Sequence, residues 1–130
     1  RSRMGGTGAD NDVANQVAAY IDWSRPVDTA SVDDEALLFE GQGLFSDPVV
    51  GCADCHNGPM LSDNAMKTMY GVRGRTRSLI GIAATAPYLH DGSVPTLRAL
   101  LDKSRNGSMG NTRNLTEHQM NALEAYLTSL

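Results

Sequence analysis

Apolar positions along this chain recur at helical spacing and almost nowhere in alternation. The end of the chain is clearest: Met120, Leu123, Leu127 and Leu130 fall on one face of a helix. Thr116 stands where its N-cap belongs, and Gln119 three positions on completes a capping box. Leu115 and Met120 sit where a hydrophobic staple would close. A second helix is predicted from the acidic run Asp33-Asp34-Glu35, which suits the positive end of a helix dipole; it carries Leu37, Leu38, Gly41 and Phe45. A third begins at Val94-Pro95, with Pro95 in the first turn and Leu97, Leu100 and Leu101 as its buried side. Stretches rich in Gly, Asn and Ser around Asn57, Gly71 and Asn106 read as loops. The pattern predicts an all-α fold.

The first residues form a separate unit. After Met4-Gly5-Gly6-Thr7 comes a helical pattern of Val13, Val17, Tyr20 and Ile21 that ends at Arg25-Pro26. The same order returns near the end: Met109-Gly110-Asn111-Thr112, then a helix with Leu123, Ala125, Tyr126 and Leu127. The two stretches align with a one-residue slip. A chance match of a short motif with an amphipathic helix is one explanation and an internal repeat is the other. On the repeat reading, residues 1–28 are the tail of a preceding, similar module and residues 29–130 are one domain. The chain starts at Arg1 without an initiator Met, so it is expected to be a processed or excised piece.

Length and composition narrow the field. A chain of 130 residues has room for one small domain with a modest core. Aromatic residues make up only 5%, so another source of apolar surface is expected. The net charge of -4 argues against a nucleic-acid partner. The best apolar run, from Ser78 to Leu89, is broken by Gly81 and Pro87 and is too short for a transmembrane segment.

Both cysteines lie in Cys52-Ala53-Asp54-Cys55-His56. Counting alone allows a disulfide, a redox dithiol, half a zinc site or a haem anchor. A dithiol of the thioredoxin kind wants an α/β pattern, which is absent. A zinc site needs four ligands, and only the distant His90 and His118 remain. A haem fits best: thiols three positions apart reach two vinyl groups on one side of a porphyrin, and the adjacent His56 falls under the iron. Its second ring nitrogen is expected to donate to a backbone carbonyl between Asn57 and Leu61, with Pro59 the chosen acceptor. One covalent haem c would also supply the missing apolar bulk.

The opposite side of the iron has several candidates. Buried Met is usually core filler. Met60, Met66 and Met69 follow the motif and read as pocket lining, and Met120 faces its own helix core. His118 sits in an exposed first turn and reads as solvated. Met109 stands out as an apolar residue in the polar loop Gly107-Ser108-Met109-Gly110-Asn111. His90, in Pro87-Tyr88-Leu89-His90-Asp91-Gly92, is its rival.

These residues resemble class I c-type cytochromes. More closely, CADCHNGP and the stretch from Thr76 to Leu101, TRSLIGIAATAPYLHDGSVPTLRALL, resemble the C-terminal haem domain of the bacterial di-haem cytochrome c peroxidase and methylamine-utilisation family. The resemblance runs over residues 33–130. It implies a small helical domain wrapped around one haem. Tyr88 and His90 would lie beside the haem, and a Met-Gly step, here Met109-Gly110, would supply the distal ligand. It also implies an extracytoplasmic bacterial location such as the periplasm. Two departures matter. The loop from His90 to Met109 is longer than in the peroxidases, and Ile80 stands where the family has Arg. Arg73, Arg75 and Arg77 lie just upstream and either pair with haem propionates or line a solvated loop. The resemblance further implies a helix crossing in which Gly41 and Phe45 meet Leu123 and Tyr126.

The first functional expectation is electron transfer through a His/Met haem with no open iron site. The second makes the chain the relay domain of a larger di-haem peroxidase or oxidase, with catalysis at a haem elsewhere, so that the isolated chain is not itself an enzyme. The third is a redox or gas sensor with a displaceable ligand. The expected partner is a redox protein or an adjacent haem domain.

Overall fold

The computed structural model describes residues 11–24 and 34–130. Four helices follow in order: α1 (Asn11–Ser24), α2 (Glu35–Ser46), α3 (Leu97–Lys103) and α4 (Glu117–Thr128). Between α2 and α3 lie two short strands, β1 (Met66–Met69) and β2 (Val72–Arg75), and a 3₁₀ turn at Ile82–Ala84. The fold is mostly helical, and the expectation of a purely α chain is corrected by this hairpin. Its physical source is the turn: Tyr70 and Gly71 take φ of 51° and 83°, the left-handed pair that matches the twist of two antiparallel strands. Met69 then faces Val72, and Met66 faces Arg75.

Caps fix where the helices start. Asp34 accepts the Leu37 amide at 3.0 Å, and Thr116 and Gln119 form the capping box at α4. The third helix starts later than Val94-Pro95. Thr96 is its cap, accepting the Ala99 amide at 3.1 Å, while Val94 is taken up by a bridge to Tyr88. A side-chain acceptor on an extended residue outcompetes a proline as the starting point.

The core forms where α2 crosses α4. A Cβ on Gly41 would stand 2.1 Å from the Ala122 carbonyl oxygen, so only glycine lets the two backbones pass. Phe45 and Tyr126 meet beside it with ring centroids 5.3 Å apart. Met120, Ala122 and Leu123 are fully buried, and Leu97, Leu100 and Leu101 of α3 close the same cluster. Leu115 packs against it, where the staple is expected. The Gly81 amide donates to the Leu130 carbonyl at 3.0 Å, joining the end of α4 to the loop before the 3₁₀ turn. On the surface, Arg98 and Arg105 of the α3 segment pair with Glu117, and Arg98 also reaches Asn121 of α4. His118 is not merely solvated: its ring lies 2.9 Å from Glu40 of α2, although it stays exposed.

The described side chains of α1 are exposed, with Val17 at 52%, Tyr20 at 64% and Trp23 at 79%. Met4-Gly5-Gly6-Thr7, Arg25-Pro26 and Asp33 lie outside the described residues.

Candidate haem site

The attachment motif is a single turn leaving α2. The Asp47 carbonyl accepts the Gly51 amide at 2.8 Å, and the Cys52 carbonyl accepts the His56 amide at 3.0 Å. This turn carries Cys52, Cys55 and His56 together, each half-buried. The two cysteines are not bonded to each other. Burial pushes the Cys52 thiol up to about 11, with the Asp54 carboxylate and Cys55 adding to it. A redox dithiol needs a depressed thiol, so this environment disfavours that alternative. Among the described residues no three His, Cys, Asp or Glu side chains gather as a metal-binding group.

His56 Nδ1 lies 3.2 Å from the Leu61 carbonyl oxygen. The acceptor is a backbone carbonyl in the expected segment, but it is Leu61 and not Pro59. Leu61 takes φ of 47°, and its own amide donates to Gly58 at 3.0 Å, so the loop doubles back and aims this carbonyl at the ring. The backbone carbonyl of Arg77 also faces the imidazole. Burial, the largest cause, lowers the His56 pKa, against the opposing pull of these carbonyls. A neutral imidazole donating through Nδ1 presents Nε2 as the ligand atom.

The loop after His56 is fastened to the hairpin. The Asp63 amide donates to Cys55 at 2.8 Å, Ser62 Oγ donates to Thr76 at 2.8 Å, and Arg75 Nη1 donates to Asn64 at 2.7 Å. Asp63 is held down to about 2, first by the Ala65 amide and then by Thr76 and Lys67; the Lys67 ammonium lies 3.1 Å away.

Met109 is half-buried and packs against the core cluster. Its loop meets the attachment turn directly. Asn111 N–H donates to the Val50 carbonyl at 2.8 Å, and a Cβ on Gly110, at φ of 72°, would stand 3.4 Å from Cys52 Sγ. Glycine follows Met109 because the backbone there is left-handed and a Cβ would press to 3.1 Å on the Val50 carbonyl oxygen.

The remaining candidates spread out. Tyr88 is buried, and its hydroxyl donates to Ile82 at 3.1 Å, so its polar end is spent inside the protein. The His90 side chain is 59% exposed and lies 4.0 Å from Asp91. Arg73, Arg75 and Arg77 are exposed; Arg75 is committed to Asn64. Met60 and Met66 are exposed, and Met69 is half-buried. The Arg77 carbonyl is the functional group that sequence reasoning missed, and within the expected segment Leu61 takes the place chosen for Pro59. The left-handed turn that aims Leu61 carries no composition signal.

The residues present fit a covalently held haem. Two thiols and an oriented imidazole on one turn suit its attachment and one axial bond. Cys52 and Cys55 would form the thioethers and His56 the iron bond. When bound, the group supplies one-electron exchange between ferric and ferrous iron.

Residues 75–109 match the family described as RoxA-like, cytochrome c-like. Motif, fold and this match together support a c-type cytochrome domain, with covalent haem c and haem-based electron transfer. Among curated relatives, the cytochrome bc1 complex cytochrome c subunit of Corynebacterium efficiens is 32% identical over 118 residues, covering 89% of this chain and 34% of that protein. The subunit of the same name from Corynebacterium diphtheriae is 33% identical over 103 residues, covering 78% and 31%. The chain thus spans about a third of the length of these relatives. A chain of hydrazine synthase from Kuenenia stuttgartiensis, solved under xenon pressure, shares the fold with a TM-score of 0.61 at 24% identity, over 82% of this chain and 49% of that one. Among the described residues no helix is long and apolar enough to cross a membrane.

Proposed function

We propose that this chain is a one-electron relay in which a single haem c is held at Cys52 and Cys55, with His56 and Met109 as the axial ligands. The observation that carries the reading is the seating of the Met109-Gly110 step against Cys52 and Val50. With both axial positions filled by protein, no site is left for substrate. A thioether favours the ferrous state more than a second imidazole does, so the centre is a high-potential one. Arg77, whose backbone faces His56, is assigned to a haem propionate, with Arg73 beside it; Tyr88 and His90 are neighbours of the haem and not ligands.

The test is spectroscopic. The oxidised protein should show the weak far-red sulfur-to-iron band. Met109→His should lower the reduction potential, and Met109→Ala should let carbon monoxide bind the reduced form, while His90→Ala should do neither. The reverse pattern would make the centre bis-His and end the His/Met reading. Carbon monoxide binding by the unmodified protein would favour a gas or redox sensor.

The relay is further read as one domain of a larger extracytoplasmic bacterial oxidoreductase, either a redox complex like that named for the corynebacterial relatives or a di-haem enzyme of the peroxidase type. Two observations favour this: the relatives are about three times longer than their match to this chain, and α1 exposes Val17, Tyr20 and Trp23. Residues 1–28 are then the tail of a preceding module, with Val17 standing where Leu123 is buried in α4. Its electron partner is an adjacent haem domain or a docked redox protein. Peroxide turnover by the isolated chain would contradict the relay assignment.

A further inference from the structure

The hairpin takes no part in haem attachment, yet its tip reaches the loop that carries Met109. Tyr70 N–H donates to Ser108 Oγ at 3.1 Å, across 38 positions of sequence. The Tyr70 hydroxyl lies 3.4 Å from Ser104 Oγ, and the buried Ser104 hydroxyl itself donates to Leu100 of α3 at 3.0 Å. The Lys103 ammonium stands 5.1 Å above the Tyr70 ring. Tyr70 takes φ of 51°, a backbone state that a bulky residue adopts only when its surroundings hold it there. On the far side of Met109, Asn111 is tied to Val50 at 2.8 Å, and Thr112 Oγ1 donates to Leu101 at 2.7 Å. Met109 is therefore suspended between two fixed points, one on the hairpin tip and one on the attachment segment.

We propose that Tyr70 and Ser108 form a latch that holds the Met109 sulfur at the iron, which makes them positioning residues for the distal ligand. The inference rests on Met109 being that ligand. An intramolecular ligand competes with outside ones through its effective concentration, which falls when the segment carrying it is freed at one end. Releasing Ser108 leaves the Asn111 anchor intact, so the sulfur should leave the iron more often without the domain unfolding.

The test uses the haem-loaded protein and its Ser108→Ala, Ser108→Thr and Tyr70→Phe variants. Carbon monoxide should bind reduced Ser108→Ala about five times faster than the parent, the factor that loss of one hydrogen bond of about 1 kcal/mol supplies. The far-red sulfur band of the oxidised form should weaken at a lower temperature, ahead of global unfolding. Ser108→Thr keeps the hydroxyl and should restore both readouts. Tyr70→Phe loses only the Ser104 contact and should give about a twofold rate increase. A parent without the sulfur band overturns the His/Met reading, and the latch with it. A parent with the band, and a Ser108→Ala protein that matches it in band and rate, overturns the latch alone. If Ser108→Ala does not fold, Ser108→Gly, which also lacks the hydroxyl, takes its place, and an unchanged band and rate there overturns the latch.

Discussion

Where α2 crosses α4, a glycine faces a backbone carbonyl, a phenylalanine meets a tyrosine, and Met120 and Leu123 are wholly out of solvent. From Cys52 to Thr112, Leu79, Ile82, Tyr88, Val94, Leu97, Leu100 and Leu101 join that packing, but the other contacts are of another kind: amide to carbonyl, hydroxyl to carbonyl, and chain reversals at positive φ. All four described non-glycine residues with positive φ, Leu61, Asn64, Tyr70 and Leu89, lie in that segment. It also exposes Met60 at 57%, and Met66 and Ile80 at 46% each. The helical body is filled by side chains, its own and those of Leu79, Ile82, Tyr88 and Val94, although Phe39 stays 80% exposed. The loop side is a frame of backbone hydrogen bonds that still leaves apolar surface for a porphyrin to cover. One half of the domain is packed, and the other is laced.

The largest effect should come from withholding the haem. The Cys52→Ala/Cys55→Ala protein made without haem should lack a cooperative thermal transition. Amide exchange should show residual protection in α2 and α4 and none at Asp63 or Asn111. Equal protection in the two halves would break the comparison. Next comes Gly41→Ala, which places a methyl against the Ala122 carbonyl and should destabilise the folded protein by more than about 3 kcal/mol. Gly43→Ala is its control: nothing lies within 4 Å of that position, and the gain in helix propensity should stabilise by about 0.5–1 kcal/mol. Denaturant unfolding of the pair measures how far the body depends on one close approach.

Thr112→Val tests the lacing. It leaves the Leu101 carbonyl without its 2.7 Å partner at a site 1% exposed, and should cost about 1–3 kcal/mol. The smallest effect belongs to Asp63. Its folded pKa is depressed from 3.8 to about 2, so its contribution is present above the unfolded value and disappears as pH falls through about 2. Asp63→Asn should flatten the acid limb of a stability–pH curve between about pH 4 and 2 and leave the curve near neutrality parallel to the parent's. An unaltered acid limb would show that the loop carboxylate is not part of the frame.

The packed half was readable in the sequence because its causes are local and periodic. Asp34, Thr116 and Gln119 act within one turn, and the 3.6-residue period sets the buried face of α4, whereas the meeting of Gly41 and Phe45 with Tyr126 was legible only through the family resemblance. The third helix began later than expected because Thr96, which follows the proline, offered the better cap. The laced half was legible in its chemistry but not in its wiring. Cys52, Cys55 and His56 announce themselves by spacing, whereas the choice of Leu61 over Pro59 depends on a left-handed residue that no composition signals. The hairpin escaped notice because four-residue strands are too short for alternation to stand out from a loop. The guanidinium groups of Arg73 to Arg77 drew attention, while the Arg77 carbonyl is what faces His56.

The hydrogen bond from Asn111 to the Val50 carbonyl also sets an order of events in time. It closes a loop of roughly sixty residues, an entropic toll met only once most of the chain between is arranged. On the proposed ligation His56, one residue beyond Cys55, would reach the iron without any such closure. The proposed sulfur must wait for that closure. In the interval His90 and His118 compete with that thioether for the metal on the proposed ligation. Refolding of the haem-loaded protein should therefore pass through a wrongly ligated species that the His90→Asn/His118→Asn protein, refolding in a single faster phase, does not show.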